Sequence, residues 1–292
     1  MRVKHGDAMV KIVAINAAVF AVLSLLRVWL LLRGSEVEPE QWLGFYADSR
    51  FAHQPWGIIT YMFTHAGLLH ILFNMLWLWW FGKIFLECFT SKQLVAIYLY
   101  GGLGGAALYA LMCALFPAIS GGYLVGASAA VTAVFIVATL RLPDYEIGLL
   151  FFGAVKLKWI GVVVIALDIL MPDGNIGGHL SHLGGALVAL LFHYALRGGI
   201  DITRPLNAAI DGCVNLLRGG FTHRSREPRI NKAKGTLHRH KATRQEPNDI
   251  AEMDIILDKI KKSGYAGLTA EEKEKLFSVS SRLRHDAPHD NG

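Results

Sequence analysis

An all-α, polytopic membrane fold is predicted for this chain: a six-helix transmembrane bundle followed by a small helical cytoplasmic extension. Three observations predict it. Hydrophobic residues are 53% of the 292 and charged residues only 18%, below the about 25% usual in soluble domains. The apolar residues are gathered into long runs between Met9 and Arg197, of the length class that crosses a hydrocarbon core. Beyond Arg197 the sequence turns polar and basic, and a segment that small and polar buries little core of its own. The expected organisation is a membrane domain at 1–197, a basic linker at 198–248 and a small helical tail at 249–292.

The first run, Met9–Leu32, follows a basic Met-Arg-Val-Lys-His start. No small-residue cleavage site follows it, so it is expected to be a helix and not a removed signal. The second and third spans are Gly67–Phe89 and Leu94–Phe116. The fourth, Ser128–Leu142, covers only about 22 Å at ~1.5 Å per residue, short of a ~30 Å core. It should therefore begin below the outer surface, after an inward-dipping loop through Pro117–Gly122. The fifth lies within Ile147–Leu170 and is interrupted by Lys156-Leu157-Lys158-Trp159. A shallow interfacial approach through Phe151–Gly153 is expected there, with the helix starting near Trp159. The sixth is Gly178–Leu196.

Basic residues set the orientation. They fall at Arg2, Lys4, Lys11, Lys83, Lys92, Arg141, Lys156, Lys158 and throughout the tail, while Pro117–Val125 and Met171–Gly177 hold none. Both termini are then cytoplasmic, and Ser128, His182, His70 and Asn74 share one level near the outer face. Three scattered cysteines, Cys88, Cys113 and Cys213, form neither a disulfide framework nor a metal-spacing pattern.

Ser128 sits in Gly126-Ala127-Ser128-Ala129, and His182 in a glycine-flanked stretch from Gly177 to Gly185. Polar groups in hydrocarbon are costly unless paired or used. A serine becomes a nucleophile when a neighbouring base accepts its proton, and His182 is the candidate base. Ser128 opens its helix, where free N–H groups favour a developing negative charge, and Gly126 leaves room for a substrate backbone. His70 and Asn74, at i and i+4, share a helical face and are candidate oxyanion donors. Of the intramembrane carboxylates, Glu87 falls at the cytoplasmic end, which leaves Asp168 as a weak third member; a Ser–His dyad is expected rather than a triad. Gly185 and Ala189 give the sixth helix a small-residue face for close packing, with Gly126, Ala129, Ala130 and Ala133 as its expected counterpart.

These motifs together, His70-xxx-Asn74, Gly126-x-Ser128 and His182-x-x-Gly185 on six spans, resemble the rhomboid family of intramembrane serine proteases over about residues 50–197. The resemblance implies catalytic Ser128 and His182, oxyanion contacts from His70 and Asn74, and a wet cavity open to the outer face. It implies no cofactor, and as partners single-pass membrane-protein substrates within membrane lipid. Four positions depart from the family pattern, one of them Ala189, where Gly185-xxx-Ala189 stands in place of a glycine pair on the sixth helix and still permits close packing. Ala129 stands where glycine usually follows the serine. Thr132 stands where an aromatic often stacks on the histidine. Pro55-Trp56-Gly57 lacks the arginine of the first-loop Trp-Arg.

Two other classes compete. His65, His70, His179 and His182 could bind a metal inside the bundle, although no HExxH is present and zinc wants three or four converging ligands. The scaffold could also serve a catalytically inactive binder of membrane proteins. His179, three residues before His182, is the rival base; His65 is expected to make an interfacial loop contact, and His53 and His193 to lie at the surface or the membrane edge.

Between Arg204 and Arg244 stand ten Lys or Arg against two acids, suited to an anionic inner leaflet or to a plain cytoplasmic linker. No nucleic-acid motif accompanies them. Farther on, Asp249–Ser263 and Thr269–Leu283 read as two amphipathic helices, the second opening on a Thr269-Ala270-Glu271-Glu272 capping box. The membrane is expected to be a bacterial inner membrane.

Overall fold

The six apolar runs all form helices, and the order in which they pack places the fourth at the centre. The structure, a computed structural model, describes residues 7–119, 121–149, 153–170, 175–217, 256, 259–260, 267–274 and 276. It divides into two compact units, 1–223 and 224–292.

In the first unit, helix α1 (Asp7–Leu32) precedes a long loop and the single turn α2 (Gly57–Thr60), followed by α3 (Leu68–Cys88), α4 (Ser91–Leu115) and α5 (Ser128–Arg141). After α5 come strands β1 (Glu146–Leu149) and β2 (Gly153–Lys156), then α6 (Leu157–Leu170), α7 (Ile176–Arg197) and α8 (Arg204–Leu217). Helices α1, α3, α4 and α7 are long and apolar enough to cross a membrane. Helices α5 and α6 are 14 residues each. Beyond Lys11, the large side chains that α1 leaves exposed are apolar, among them Leu25, Trp29 and Leu32, as a lipid-facing surface requires.

Helix α5 is short and surrounded. Every residue from Ala129 to Thr139 is buried, and α5 packs against α3, α4 and α7. Its small and β-branched side chains let neighbouring backbones close in. A Cβ on Gly101 of α4 would stand 2.4 Å from the Ala133 methyl, and one on Gly105 2.6 Å from the Ala129 methyl. A Cβ on Gly184 of α7 would stand 2.4 Å from the Gly104 carbonyl oxygen. The run Gly101-Gly102-Leu103-Gly104-Gly105 thus lets α4 approach both α5 and α7, a partner surface the sequence reading left out.

Buried polar groups tie the entry loop to this core. Asn16 on α1 donates from Nδ2 to Tyr98 Oη at 3.1 Å, and Tyr98 donates to the Met62 carbonyl at 2.7 Å. Tyr61 donates to the Gly102 carbonyl at 2.6 Å. The capping box of Thr90 and Gln93 starts α4. The first loop is held by its own bonds, from Trp56 Nε1 to the Trp42 carbonyl at 2.8 Å and from Thr60 Oγ1 to the Leu43 carbonyl at 2.7 Å. Gly57, where the family pattern has arginine, has no room for a side chain: a Cβ would lie 2.3 Å from the Gly44 carbonyl oxygen. Arg50 instead reaches across to the Gly121 carbonyl at 3.0 Å.

Two local features go beyond the expected organisation. Before the fifth span, β1 and β2 pair antiparallel, Glu146 with Lys156 and Leu149 with Gly153; of the shallow approach expected through Phe151–Gly153, residues 151 and 152 lie outside the described residues. The hairpin runs directly into α6, which begins at Leu157, two residues before the expected Trp159. Asp144 stands beside the break, where Lys158 and Lys156 reach its carboxylate at 2.8 and 3.3 Å. Their charges hold the Asp144 carboxyl below its ordinary range, Lys158 contributing most. Second, the segment expected as basic linker, 198–248, includes helix α8, joined to the start of α4 by Lys92 and Asp211 at 2.6 Å.

In the second unit, the described residues include the expected capping box. Thr269 N–H donates to Glu272 Oε2 at 2.8 Å and Glu272 N–H to Thr269 Oγ1 at 3.3 Å. Lys259 pairs with Glu272 at 2.8 Å, and Ile256 and Leu268 are buried. The rest of the two expected tail helices lies outside the described residues.

Candidate active site

Glycine and a short helix place the serine. Gly126 adopts φ +126°, a conformation that favours glycine, and donates its N–H to the Tyr61 carbonyl at 2.9 Å. Just upstream, Leu124 exchanges two backbone hydrogen bonds with Phe45 at 2.9 and 3.0 Å. Helix α5 then starts at Ser128, so the serine lies at an N-terminus whose first N–H groups have no intrahelical acceptor.

His70 packs onto that loop. Its Nε2 and Cε1 lie 2.7 Å from where a Gly126 Cβ would be. His65, expected at an interface, is instead fully buried; its Nε2 accepts from the Ala127 N–H at 3.4 Å, and its ring meets His70 edge to face at 5.0 Å. His65 therefore braces the serine loop, a role with no signal in local periodicity. Asn74 donates one amide hydrogen to the His70 carbonyl at 2.8 Å, which leaves its second amide hydrogen for the cavity.

The histidine is carried by α7. Asn175 caps that helix, accepting from the Gly178 N–H at 3.0 Å, and Gly185 abuts the Ala129 carbonyl oxygen, 2.2 Å from a hypothetical Cβ. Ala189 is fully buried one turn farther on. Ser128, His182 and Asn74 line two adjoining cavities, of about 290 and 430 Å³. His70 and Gly126 line the larger, while Asp168 and Thr132 line the smaller. No hydrogen bond joins the Ser128 and His182 side chains to each other in this structure, a contact that such pairs commonly tighten only around substrate.

Asp168, the third member that the sequence offered beside the expected Ser–His dyad, lies against the histidines. Its Oδ1 lies 2.8 Å from Nδ1 of His182 and 2.8 Å from Nδ1 of His179. A carboxylate only accepts, so each Nδ1 is placed to donate to it, and a neutral ring held in this way has its acceptor at Nε2. Where Thr132 supplies no aromatic ring to hold His182, Asp168 on α6 holds it instead. The acid lies 14 residues away in sequence and on a different helix, and only the packing of α6 on α7 brings it in. His53 is exposed and His193 half-buried.

A polytopic helical membrane protein with serine, histidine and aspartate around one cavity is the class that fold and site define. Comparison with known proteins gives the family. The Rhomboid domain matches residues 52–199, half of the chain. The chain is 34% identical over 157 residues to RHOMBOID-like protein 12, mitochondrial, of Arabidopsis thaliana, covering 49% of this chain and 46% of that protein. It is 30% identical over 130 residues to Rhomboid protease GlpG of Serratia proteamaculans, covering 38% and 43%. A third relative, Presenilin-associated rhomboid-like protein A, mitochondrial, of Danio rerio, is 26% identical over 136 residues, covering 44% and 34%. The matches span less than half the length of these relatives. Residues 239–282 match a separate family of unknown function, DUF6576.

The chain belongs to the rhomboid family and is an integral membrane protein. Mitochondrial and bacterial proteins both stand among its relatives, so the expected bacterial inner membrane gains no support over a mitochondrial one.

Proposed function

We propose that this protein is an intramembrane serine endopeptidase that cuts single-pass membrane proteins near the outer boundary of the bilayer. The observation that carries the reading is His182, anchored through Nδ1 at 2.8 Å by Asp168 and sharing both cavities with Ser128. With the Nδ1 proton committed to Asp168, the free Nε2 is the atom that takes the serine proton. Oγ of Ser128 attacks the scissile carbonyl, His182 becomes imidazolium beside the Asp168 carboxylate, and the proton passes to the leaving amine. Water then hydrolyses the acyl-enzyme by the same base. The oxyanion is met by the N–H groups opening α5, by His70 and by the second amide hydrogen of Asn74, with Gly126 clearing the approach. Such donors are worth roughly 3–4 kcal/mol each in soluble acyl-transfer enzymes.

The distribution of Lys and Arg supports both termini being cytoplasmic and the cavity facing the opposite side. Residues 1–197 form the protease domain on this reading, 198–248 a basic linker that contains α8, and 249–292 a helical tail.

The test is labelling of detergent-purified protein by a fluorophosphonate probe. Wild type should be labelled, and folded Ser128→Ala and His182→Ala should not. An unlabelled, folded wild type that still binds membrane-protein segments would establish the inactive binder in place of the protease.

A further inference from the structure

Asp168, His179 and His182 bring three ligand atoms of two chemical kinds to one point. Their nearest ligating atoms all lie within 4.8 Å of one another. Tetrahedral zinc with bonds of about 2.0–2.1 Å holds its ligand atoms about 3.3 Å apart. The two 2.8 Å separations from Asp168 Oδ1 need open by only about half an ångström. A second observation points to a ligand. Asp168 is 8% exposed, and its Oδ2 is buried without a hydrogen-bond partner, an orphaned anionic oxygen in a place where such atoms are rare. The catalytic reading uses only one of these two histidines, so His179 is otherwise unexplained.

We propose that Asp168, His179 and His182 form an inhibitory site for a divalent transition metal of the zinc class. Two imidazoles and one carboxylate suit zinc, and three protein ligands leave a fourth position open. The cavity of about 290 Å³ that Asp168 and His182 line provides the entry. The inhibition follows from the tautomer and rests on the catalytic reading above. The metal takes the lone pair of Nδ1 on each histidine, and each ring moves its proton from Nδ1 to Nε2, with no proton gained or lost overall. Nε2 of His182 is then an N–H donor, unable to accept the proton of Ser128. His179 is the metal-specific member of the site.

Binding and inhibition are measured separately. Cobalt(II) and zinc(II) are titrated into the full-length protein carrying Ser128→Ala, where no catalysis is needed. One equivalent of cobalt should bind, with the visible absorption of a tetrahedral centre, and zinc should displace it. Both signals should be lost in His179→Ala and in His179→Gln; the latter keeps a side chain able to hydrogen-bond Asp168. With Ser128 present, zinc should suppress fluorophosphonate labelling, EDTA should restore it, and the His179 variants should show no zinc effect relative to their own zinc-free labelling. Absence of one-equivalent binding, or unchanged binding in both His179 variants, overturns the site. Binding with no change in labelling overturns its inhibitory role. Wild type that is never labelled would count against the protease reading alone, because the cobalt spectrum is read without activity.

Discussion

Gly185 of α7 lies against the Ala129 carbonyl of α5, so close that a Cβ there would stand 2.2 Å from the oxygen. The contact joins the helix that carries the histidine to the helix that carries the serine, one residue beyond Ser128 and three beyond His182. The obstructing atom is backbone and cannot turn aside. Gly185→Ala should therefore push the helices apart, costing about 1–3 kcal/mol as overpacking does, and should reduce fluorophosphonate labelling per folded molecule. Thermal unfolding in detergent together with labelling checks both; an unchanged melting temperature would contradict the geometry.

Asp168→Asn tests the carboxylate. An amide in this place no longer enforces the Nδ1–H tautomer of His182, and the equivalent change in a soluble triad costs about 10⁴ in kcat. A loss of at least about 10² in kcat is expected, with little change in KM, measured on a reconstituted single-pass substrate. Full activity would mean that the serine and histidine suffice.

Gly126→Ala combines two penalties. The residue has φ +126°, and the new methyl would meet His70 at 2.7 Å. Backbone strain of this kind costs about 1–3 kcal/mol, and the His70 ring would be displaced from the cavity. Lower stability with loss of labelling is the expected pair of results.

Tyr98→Phe removes a hydroxyl that both accepts from Asn16 and donates to the Met62 carbonyl. Leaving buried partners unsatisfied costs about 1–3 kcal/mol. The effect should appear in the unfolding midpoint alone, with labelling per folded molecule unchanged, because none of the three residues lines the cavities.

The Asp144 turn carries a pH dependence. Lys158 and Lys156 hold its carboxyl below the ordinary range, so the folded state binds its proton less readily than the unfolded one. The resulting stabilisation is present above the ordinary aspartate value and fades as the pH falls through the lower, folded one. Carboxyl NMR of Asp144 in detergent should show a depressed titration that returns to the ordinary range in Lys156→Gln/Lys158→Gln and at high salt. A normal titration in wild type would remove the ion pairs from the account of the hairpin.

How much was legible beforehand differs from one element to the next. The helical segments were, because run length and caps are local: the Thr269 capping box was readable from four residues. His70 and Asn74 were legible as a pair because the helical period puts i and i+4 on one face. The hairpin before α6 was not, since strands of four residues carry too little pattern to separate from an interrupted apolar run. Nor was the burial of His65 behind the serine loop, which depends on where a distant loop returns.

By itself the sequence determined the membrane class, the succession of apolar helices, and the family to which Ser128 and His182 belong, because the cost of polar groups in hydrocarbon and the helical repeat act over neighbouring residues. The tertiary structure alone decided that Asp168 would hold His182 and His179 together, and that the glycines of α4 would share the crossing with those of α7. Distances between helices are set by how closely their backbones can approach, and that is a property of pairs of surfaces which no single stretch of chain contains.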